Sequence, residues 1–496
     1  MQSNEQLHAN AAREAIDGRM PVLSDERLYT SYGSILWICT ANSATWAFLI
    51  GGNLPIVGNT VVGMVGYLCG MILGFVPVGL ASGLPSYRYG IDPIDGAKAA
   101  FGTKGAVIAL VISLSTLVGW AYVLVALTAR GVVSLASAAS AATIADEPLQ
   151  TLLALFALLM IWLITRRGPA IFRRLSAYVA PLQLVVTGVL LVILLHRYGP
   201  TVLWSSNIPA SLALTQSHTL GFAYAVEFGV SNAFSWWPVM GGLTRLTRRR
   251  RHVLGPVIVG GGVLGAAFIS AVGALAAARV GTTDPSRWML VIGGARLGTA
   301  LLAFFLLSGI VTMVLLVYLA AVASQQLRRL SRLSWDLLLF LILLPGIYFA
   351  FRTAWVLRVV MTWLSYNGVM FEGIIGILLV DYLVLRRQSL DARHLFTRSP
   401  AGKYWYWGGV NWVAVMVVAA SVPIYLAFYN PTTYRVAASF RYLGAALPTM
   451  LLAAFAYLLL TYVCIRPAGK GGYLGSGAGA TSTPTRSGAS RIEVTL

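Results

Sequence analysis

Long apolar stretches alternate with short polar ones along the whole of this chain. Each apolar stretch is about 20 residues or longer, which is the length a helix needs to cross a bilayer core of about 30 Å. The stretches are continuous rather than alternating in polarity, and this excludes a transmembrane β-barrel. The pattern predicts an all-α polytopic membrane protein with twelve spans, at residues 31–54, 56–83, 105–128, 149–165, 176–195, 217–243, 253–279, 297–325, 334–351, 364–386, 407–428 and 443–465.

Basic residues predict how these spans are oriented. Of the 36 Lys and Arg residues, 27 lie in the N-terminal segment, in alternate loops and in the C-terminal tail, whereas 9 lie on the other side. The positive-inside rule therefore places both termini in the cytoplasm. The net charge of +20 reflects these loops rather than nucleic-acid binding. We expect a multi-pass protein of the inner (plasma) membrane, in contact with the lipid bilayer and without a nucleic-acid partner.

The order of the spans predicts an internal repeat. The first ten split into five plus five, and because five is odd, two similar halves have opposite orientations in the membrane. The first span is expected to act as the insertion signal, since the N-terminal segment has no signal-peptide core. The predicted units are a cytoplasmic segment (1–30), a transporter domain (31–465) with repeat one (31–195), repeat two (217–386) and peripheral helices (407–465), and a disordered cytoplasmic tail (466–496).

Spans 1 and 6 occupy equivalent positions in the two repeats, and both are interrupted by polar residues, Gly and Pro. Such residues are costly inside a membrane, and a broken helix leaves backbone groups free to bind a ligand. We predict that the two spans meet at a substrate site near the middle of the membrane. Helix packing is the alternative role for small polar residues. Span 1 carries Thr40, Asn42, Ser43, Thr45, Gly51-Gly52 and Pro55, and span 6 carries Glu227, Ser231, Asn232, Ser235, Pro238 and Gly241-Gly242.

Two glycine patterns predict packing rather than ligand binding. Gly66, Gly70 and Gly74 recur every four residues in span 2, which is typical of a close-packing helix face. Residues 260–265, GGGVLG, match GxGxxG in span 7. They do not follow a strand of a βαβ unit, so the match does not indicate a nucleotide site.

Three segments resemble the nucleobase–cation symporter family 1, which includes permeases for cytosine, purines, uracil, allantoin, hydantoins and thiamine. The segment RYGIDPIDGAKAAFGTKGAV at 88–107 resembles that family's R-x-G-x-P…A-x-FG-x-x-G. The segment GILLVDYLVLRRQSLD at 376–391 is similar to G-x-x-x-x-DY-x-x-x-RR, and YWYWGGVNWVAV at 404–415 is similar to Y-W-x-G-x-N-W. The resemblance implies a LeuT-type 5+5 inverted repeat with two peripheral helices.

The resemblance also implies a substrate site. Trp120 stands at the position where the family stacks a Trp on a flat heterocycle, and an indole face suits such a ring. Asn232 can donate to and accept from a nucleobase edge, and Trp236 or Trp237 could add a second ring face. Leu124 replaces a hydrogen-bonding Gln of some members, which leaves the substrate open. The expected substrate-binding residues are Trp120, Asn232, Ser231, Ser43 and Trp236.

The coupling ion stays open between Na⁺ and H⁺. By resemblance, a sodium ion would be held by the backbone carbonyls of Cys39 and Asn42 and by the hydroxyls of Ser308 and Thr312. Val311 stands where a second adjacent hydroxyl would help. A buried acid, Glu227 or Glu372, is the alternative carrier, because buried carboxylates can exchange protons near neutral pH. The residues expected in cation coupling are Cys39, Asn42, Ser308, Thr312 and Glu227, with no firm metal site.

The resulting prediction is a secondary active transporter, not an enzyme. It would import a nucleobase or related nitrogen heterocycle by cation symport with alternating access, without a cofactor and as a monomer. An amino-acid or amine symporter on the same fold is the alternative. The five histidines are scattered, and neither HExxH nor G-x-S-x-G is present, which argues against membrane-enzyme chemistry.

Overall fold

The computed structural model describes residues 20–140, 146–167, 169–205, 208, 211–327 and 329–473. The predictions for the first nineteen residues and for most of the tail lie outside this part of the chain. The long helices are α1 Tyr32–Asn53, α2 Thr60–Tyr89, α3 Pro93–Phe101, α4 Val107–Ser140, α5 Asp146–Thr165, α6 Pro169–Tyr198, α7 His218–Phe234, α8 Trp237–Thr244, α9 Arg250–Val280, α10 Pro285–Gly293, α11 Thr299–Ser324, α12 Trp335–Ala350, α13 Thr353–Leu385, α14 Trp412–Phe428 and α15 Ala446–Ile465.

These helices agree with the twelve predicted spans. Within the described residues, eight helices are long and apolar enough to cross a membrane, and a bent pair in α1 makes nine. Two shorter apolar helices, α12 and α14, and the broken pair α7–α8 coincide with the remaining spans. The predicted start of span 10 at residue 364 is wrong, since α13 begins at Thr353. The sequence prediction stopped short because Arg352 and Arg358 interrupt the apolar run.

Several helix starts are fixed by side chains that precede them. The hydroxyl of Ser31 accepts a hydrogen bond from the amide of Ser34 at the start of α1, and Asn59 accepts from Val62 in the same way at α2. Asp92 accepts from the amide of Ile94 at α3. Such caps satisfy amides that have no partner inside the helix.

The two interrupted helices lie in the middle of the bundle, and glycines let their neighbours come close. A Cβ atom on Gly66 or Gly74 would lie 2.7 or 2.6 Å from a side chain of α7, and a Cβ on Gly70 would lie 2.2 Å from the carbonyl oxygen of Val226. The predicted packing face of span 2 is therefore confirmed, and its partner is α7. The glycines of residues 260–265 likewise allow α9 to pack closely on α1. A Cβ on Gly260 would lie 2.4 Å from the carbonyl oxygen of Leu36.

The bundle has two faces that are built differently. Residues 20–29 contact the segments that follow α2 and α8, and Arg88 at the end of α2 contacts Gln388 after α13. We call this face of the bundle the terminal face. There the amide of Val22 donates to the carbonyl of Gly90, and Tyr29 pairs with Thr247. The opposite face holds the end of α4, the starts of α5 and α13, and a two-stranded hairpin, β1 Tyr429–Asn430 and β2 Arg435–Val436.

Candidate substrate and cation site

Of the two central helices predicted to be interrupted, one is broken and the other, α1, is continuous but sharply bent. The segment Tyr32–Ser43 and the segment Thr45–Val57, which includes the turn after α1, are bent by 51° from each other. The other helix stops after Phe234 and resumes at Trp237. The break in the second helix lies just before Pro238, whereas the bend of α1 lies among its polar residues, before Gly51-Gly52 and Pro55. Pro238 lies in the first turn of α8, where its missing N–H costs little.

The glycine pairs serve packing instead. A Cβ on Gly241 would lie 2.4 Å from the hydroxyl of Ser82, and a Cβ on Gly51 would lie 2.2 Å from the carbonyl oxygen of Ser270. These glycines therefore let each central helix press against a neighbour, α2 or α9. The breaks themselves follow the mid-helix polar residues.

Buried aromatic rings gather where the two interruptions meet. The Trp46 ring, from α1, lies 5.7 Å from that of Trp120 on α4 and 6.2 Å from that of Trp236 between α7 and α8. Phe75 lies 5.3 Å from Trp236, and Trp363 lies 5.5 Å from Trp120. We call these five residues the aromatic cluster. It unites two predicted site residues, Trp120 and Trp236, from distant parts of the chain.

The sequence reasoning missed Trp46, which links the other two tryptophans. Its indole N–H donates to the carbonyl of Asn42 at 2.7 Å, and this bond holds the ring against the bend in α1. Trp46 is 3% exposed, so it is not an interface anchor. Trp120 is selected by its family position, and Trp46 shares with it only the mid-span placement, which could have pointed to it.

The amide of Asn232 is half engaged. Its side-chain nitrogen donates to the hydroxyl of Tyr67 on α2 at 2.5 Å, and the backbone carbonyl of Asn232 accepts from the hydroxyl of Ser235 at 2.6 Å. The side-chain oxygen of Asn232 is buried and has no hydrogen-bond partner among the described residues. A buried acceptor without a donor raises the free energy of the folded state. A ligand that donates a hydrogen bond to this oxygen would remove that penalty.

The two predicted serines lie at helix contacts. The hydroxyl of Ser43 donates to the carbonyls of Cys39 and Gly261, at 3.1 and 3.2 Å, and so bridges α1 and α9. Ser231 packs on α13, where a Cβ on Gly368 would lie 2.7 Å from the Ser231 Cβ. The hydroxyl of Ser43 is thus engaged between helices, whereas the hydroxyl of Ser231 is buried without a hydrogen-bond partner among the described residues.

Hydroxyl groups of α11 face the bend of α1. The Thr312 hydroxyl donates to the carbonyl of Ala41 at 3.1 Å, and the hydroxyls of Ser308 and Thr45 lie 3.0 Å apart. The side-chain oxygen of Asn42 is buried and has no partner among the described residues. Ser308 and Thr312 thus contact α1 at Thr45 and Ala41, whereas the carbonyl of Cys39 accepts from the hydroxyl of Ser43 within α1.

The buried acids lie on another side of α7. The carboxylate of Glu227 accepts from the amides of Ala445 and Ala446 at 2.8 to 3.1 Å, which caps the start of α15. Glu372 on α13 is fully buried, and its two oxygens have no partner among the described residues. Within the same part of the chain, His, Cys, Asp and Glu form no group of three or more that could hold a metal ion.

The segments that resemble the symporter family meet in one buried network at the terminal face. The Arg386 guanidinium donates to Asp381 at 2.7 Å, to the carbonyls of Ala99 and Gly471, and to the Tyr406 hydroxyl. Asn411 donates to the carbonyl of Ala100 at 2.6 Å. We call this network the terminal hub. It ties α3, the end of α13 and the start of α14 together.

A second cluster of buried charged residues lies at the terminal face, next to the end of α8. Arg245, at the end of α8, is fully buried and its guanidinium lies 3.4 Å from the hydroxyl of Tyr318 on α11. Lys98 pairs with Asp95 and also donates to the side chain of Gln326 at 3.1 Å. Burial raises the pKa of Asp92 to about 7, although the nearby Arg245 acts in the opposite direction.

Comparison with known proteins agrees with this architecture. The family model described as a permease for cytosine/purines, uracil, thiamine and allantoin matches residues 31–455. A purine-uracil permease, NCS1, of Arabidopsis thaliana is 35% identical over 72 residues. That segment covers 14% of this chain and 12% of the Arabidopsis protein.

Solved transporters have the same fold. Mhp1 in its inward-facing conformation gives a TM-score of 0.71 at 15% identity, covering 90% of this chain and 93% of Mhp1. Mhp1, a nucleobase-cation-symport-1 family transporter, in a closed conformation with bromovinylhydantoin bound gives 0.69 at 16% identity, covering 90% and 96%. A Na⁺-coupled sialic acid symporter gives 0.60 at 12% identity, covering 90% and 92%.

The predicted LeuT-type, all-α fold is thereby confirmed. The extent of the family match, 31–455, includes both interrupted helices, the aromatic cluster and most of the terminal hub. The chain belongs to the family of permeases for cytosine, purines, uracil, thiamine and allantoin, and is a membrane transporter rather than an enzyme.

Proposed function

We propose that this chain imports a planar nitrogen heterocycle, a nucleobase or a related ring, by cation symport. The aromatic cluster carries the proposal, because it presents indole rings from three helices at the two interruptions. Flat conjugated rings bind well to such surfaces. The bromovinylhydantoin bound to Mhp1 is a ring of this kind.

Trp120, Trp236 and Trp46 are the proposed ring contacts. The free side-chain oxygen of Asn232 is the proposed acceptor for a ring N–H. Ser231 stays a proposed contact, since its buried hydroxyl has no hydrogen-bond partner among the described residues, whereas the hydroxyl of Ser43 already bonds to Gly261. The terminal face, which carries most of the basic residues, would be cytoplasmic.

For the coupling ion, the geometry favours sodium between α1 and α11. Oxygen atoms of Ala41, Asn42, Thr45, Ser308 and Thr312 lie around the bend, and sodium prefers such hard oxygen donors. Proton coupling through Glu227 is less favoured, because both of its oxygens already accept backbone hydrogen bonds that cap α15.

Uptake into proteoliposomes tests the proposal. Labelled uracil, cytosine, hypoxanthine, hydantoin and leucine are compared with an inward sodium gradient, with a proton gradient, and with neither. We expect one heterocycle class to accumulate with sodium, and Thr312→Ala to abolish the sodium dependence while Glu227→Gln keeps it. Accumulation of leucine alone would favour the amino-acid alternative. Ring accumulation driven by protons alone would contradict the sodium site.

A further inference from the structure

A large open cavity lies on the face opposite the terminal face. Its volume is about 1240 Å³, and it lies between the end of α4, the start of α5, α10 and the start of α13. We call it the vestibule. Its charged lining residues are Arg130, Arg287, Arg352, Arg358 and Glu147.

The vestibule is strongly basic for its position. Nine Lys or Arg residues lie outside the segments assigned to the cytoplasm, all nine are arginines, and four of them line this one cavity. The positive-inside rule does not account for basic residues on this side. Their concentration in one cleft therefore needs another explanation.

Three of these arginines make no side-chain hydrogen bond or ion pair with the residues that the structure describes. Arg130 pairs with Asp284 at 2.8 Å, and Asp284 also caps α10. Arg287, Arg352 and Arg358 are exposed, and no described carboxylate lies within ion-pair distance of them. With Glu147 also in the lining and Arg130 paired with Asp284, the described charges of the cleft are in net positive excess, and such an excess concentrates ligands of the opposite sign.

An aromatic face stands beside these charges. Trp355 lines the vestibule, is 50% exposed, and stacks with Phe349 at 6.3 Å and an interplanar angle of 12°. A guanidinium fork matches a carboxylate, and an indole matches a flat ring. Together they are complementary to one chemistry, a planar ring that carries an anionic group.

A second cavity adjoins the vestibule and lies against α1. Its volume is about 350 Å³, and it shares Arg130, Leu357 and Arg358 with the vestibule. It also includes Leu49, three residues after Trp46 on α1, which is roughly 4.5 Å along a helix at 1.5 Å per residue. Arg130 and Arg358 thus line both cavities, and Asp284, the ion-pair partner of Arg130, lines the second one.

We infer that the transported heterocycle is anionic, with a carboxylate or another ionised group, and that Arg352 and Arg358 select it on entry. This inference rests on the proposed function, since it names the substrate class of that same pathway. The ring travels past the guanidinium groups and then reaches the tryptophans. Neutral rings of the same shape lack the interaction with the vestibule.

Binding of matched ring pairs to the purified full-length protein in phosphatidylcholine nanodiscs tests the inference. The pairs are uracil with orotate, hypoxanthine with urate, and hydantoin with hydantoin-5-acetate, at 20 and 300 mM sodium chloride. We expect at least one anionic member to bind about tenfold tighter than its neutral partner at low salt, and the ratio to fall at high salt. Arg352→Gln and Arg358→Gln should each reduce that ratio severalfold. Arg441→Gln, an exposed arginine on the same face that is not a vestibule residue, should leave it unchanged.

The outcomes separate the two proposals. Neutral rings that bind as tightly as the anionic ones, with no effect of either arginine variant, would overturn the inference while the proposed function stands. No binding by any ring would overturn both. A further measurement replaces part of the phosphatidylcholine with the anionic lipid phosphatidylglycerol, to test whether the vestibule binds lipid headgroups. If this lipid stabilises the wild type but not Arg352→Gln, and the ring ratios stay at one, the vestibule binds lipid headgroups and the inference is wrong.

Discussion

The two faces of the bundle use arginine in opposite ways. At the terminal face, Arg386 and Arg245 are buried, and Arg386 alone contacts a carboxylate, two carbonyls and a tyrosine hydroxyl. At the opposite face, Arg352 and Arg358 are exposed to a wide cavity. A buried arginine that is fully hydrogen-bonded holds a fold together, whereas an exposed one in a cleft is available to a ligand. The same residue type therefore marks structure on one side and recognition on the other.

The largest effect is expected at the terminal hub. Arg386→Met leaves the buried carboxylate of Asp381 without its ion-pair partner, which costs about 3–5 kcal/mol. The variant should lose most of its monodisperse peak in detergent size-exclusion chromatography, or melt far below the wild type. Arg387→Met, at the exposed neighbouring residue, is the control and should behave like the wild type. Equal behaviour of the two variants would mean that the hub does not hold the face together.

A somewhat smaller loss of folding stability is expected when a glycine at a close helix contact is replaced. A Cβ on Gly70 meets the carbonyl of Val226 at 2.2 Å, so Gly70→Ala should push α2 and α7 apart at a cost of about 1–3 kcal/mol. A Cβ on Gly188 in α6 would have nothing within 4 Å of it, so Gly188→Ala should be neutral or slightly stabilising. Melting curves of both variants check this. Equal midpoints would contradict the close approach of the two helices.

The stability of the protein is expected to depend on pH through Asp92, at the start of α3. Because burial raises the pKa of Asp92 from its ordinary 3.8 to about 7, the packed arrangement binds the proton more tightly than an exposed carboxyl does. The resulting stabilisation is complete below about pH 4 and is lost as the pH rises through about 7. The melting midpoint of the wild type relative to that of Asp92→Asn should therefore fall between pH 5 and pH 8. Parallel pH profiles for the two proteins would exclude Asp92 as the titrating group.

The smallest effect on stability is expected in the vestibule. Arg352→Gln and Arg358→Gln remove exposed charges without described ion-pair partners, so each should change the unfolding free energy by no more than about 0.5 kcal/mol. The melting midpoints without ligand should match the wild type. A large drop in either variant would show that these arginines, like those of the terminal hub, stabilise the fold.

Much of the fold could be predicted because bilayer physics is strict about length and polarity. The helices agree with the twelve predicted spans, and the interruption of both central helices followed from their mid-membrane polar residues. The place of each break could not be predicted, because Pro238 suits the first turn of a helix as well as it suits a break. The start of α13 was missed since Arg358 is typical of the edge of a span, whereas it extends into the vestibule.

The candidate site was only partly predictable. Trp120 and Trp236 do lie in one cluster, but the position of Trp46 between them depends on the bend of α1, which no local pattern reveals. The role of Glu227 was open for a related reason. Its carboxylate oxygens accept hydrogen bonds from amides more than 200 residues away, and only the folded chain brings them together.

Ligand binding to matched tryptophan variants tests the central claim most directly, namely that the ring site lies in the aromatic cluster. The ring with the tightest binding is titrated against wild type, Trp120→Ala, Trp236→Ala and Trp412→Ala, the last being a half-exposed tryptophan on α14 outside the cluster. We expect at least a tenfold weaker Kd, about 1.4 kcal/mol, for the first two variants and an unchanged Kd for the third. Wild-type affinity in both cluster variants, with the folded protein retained, would contradict the claim.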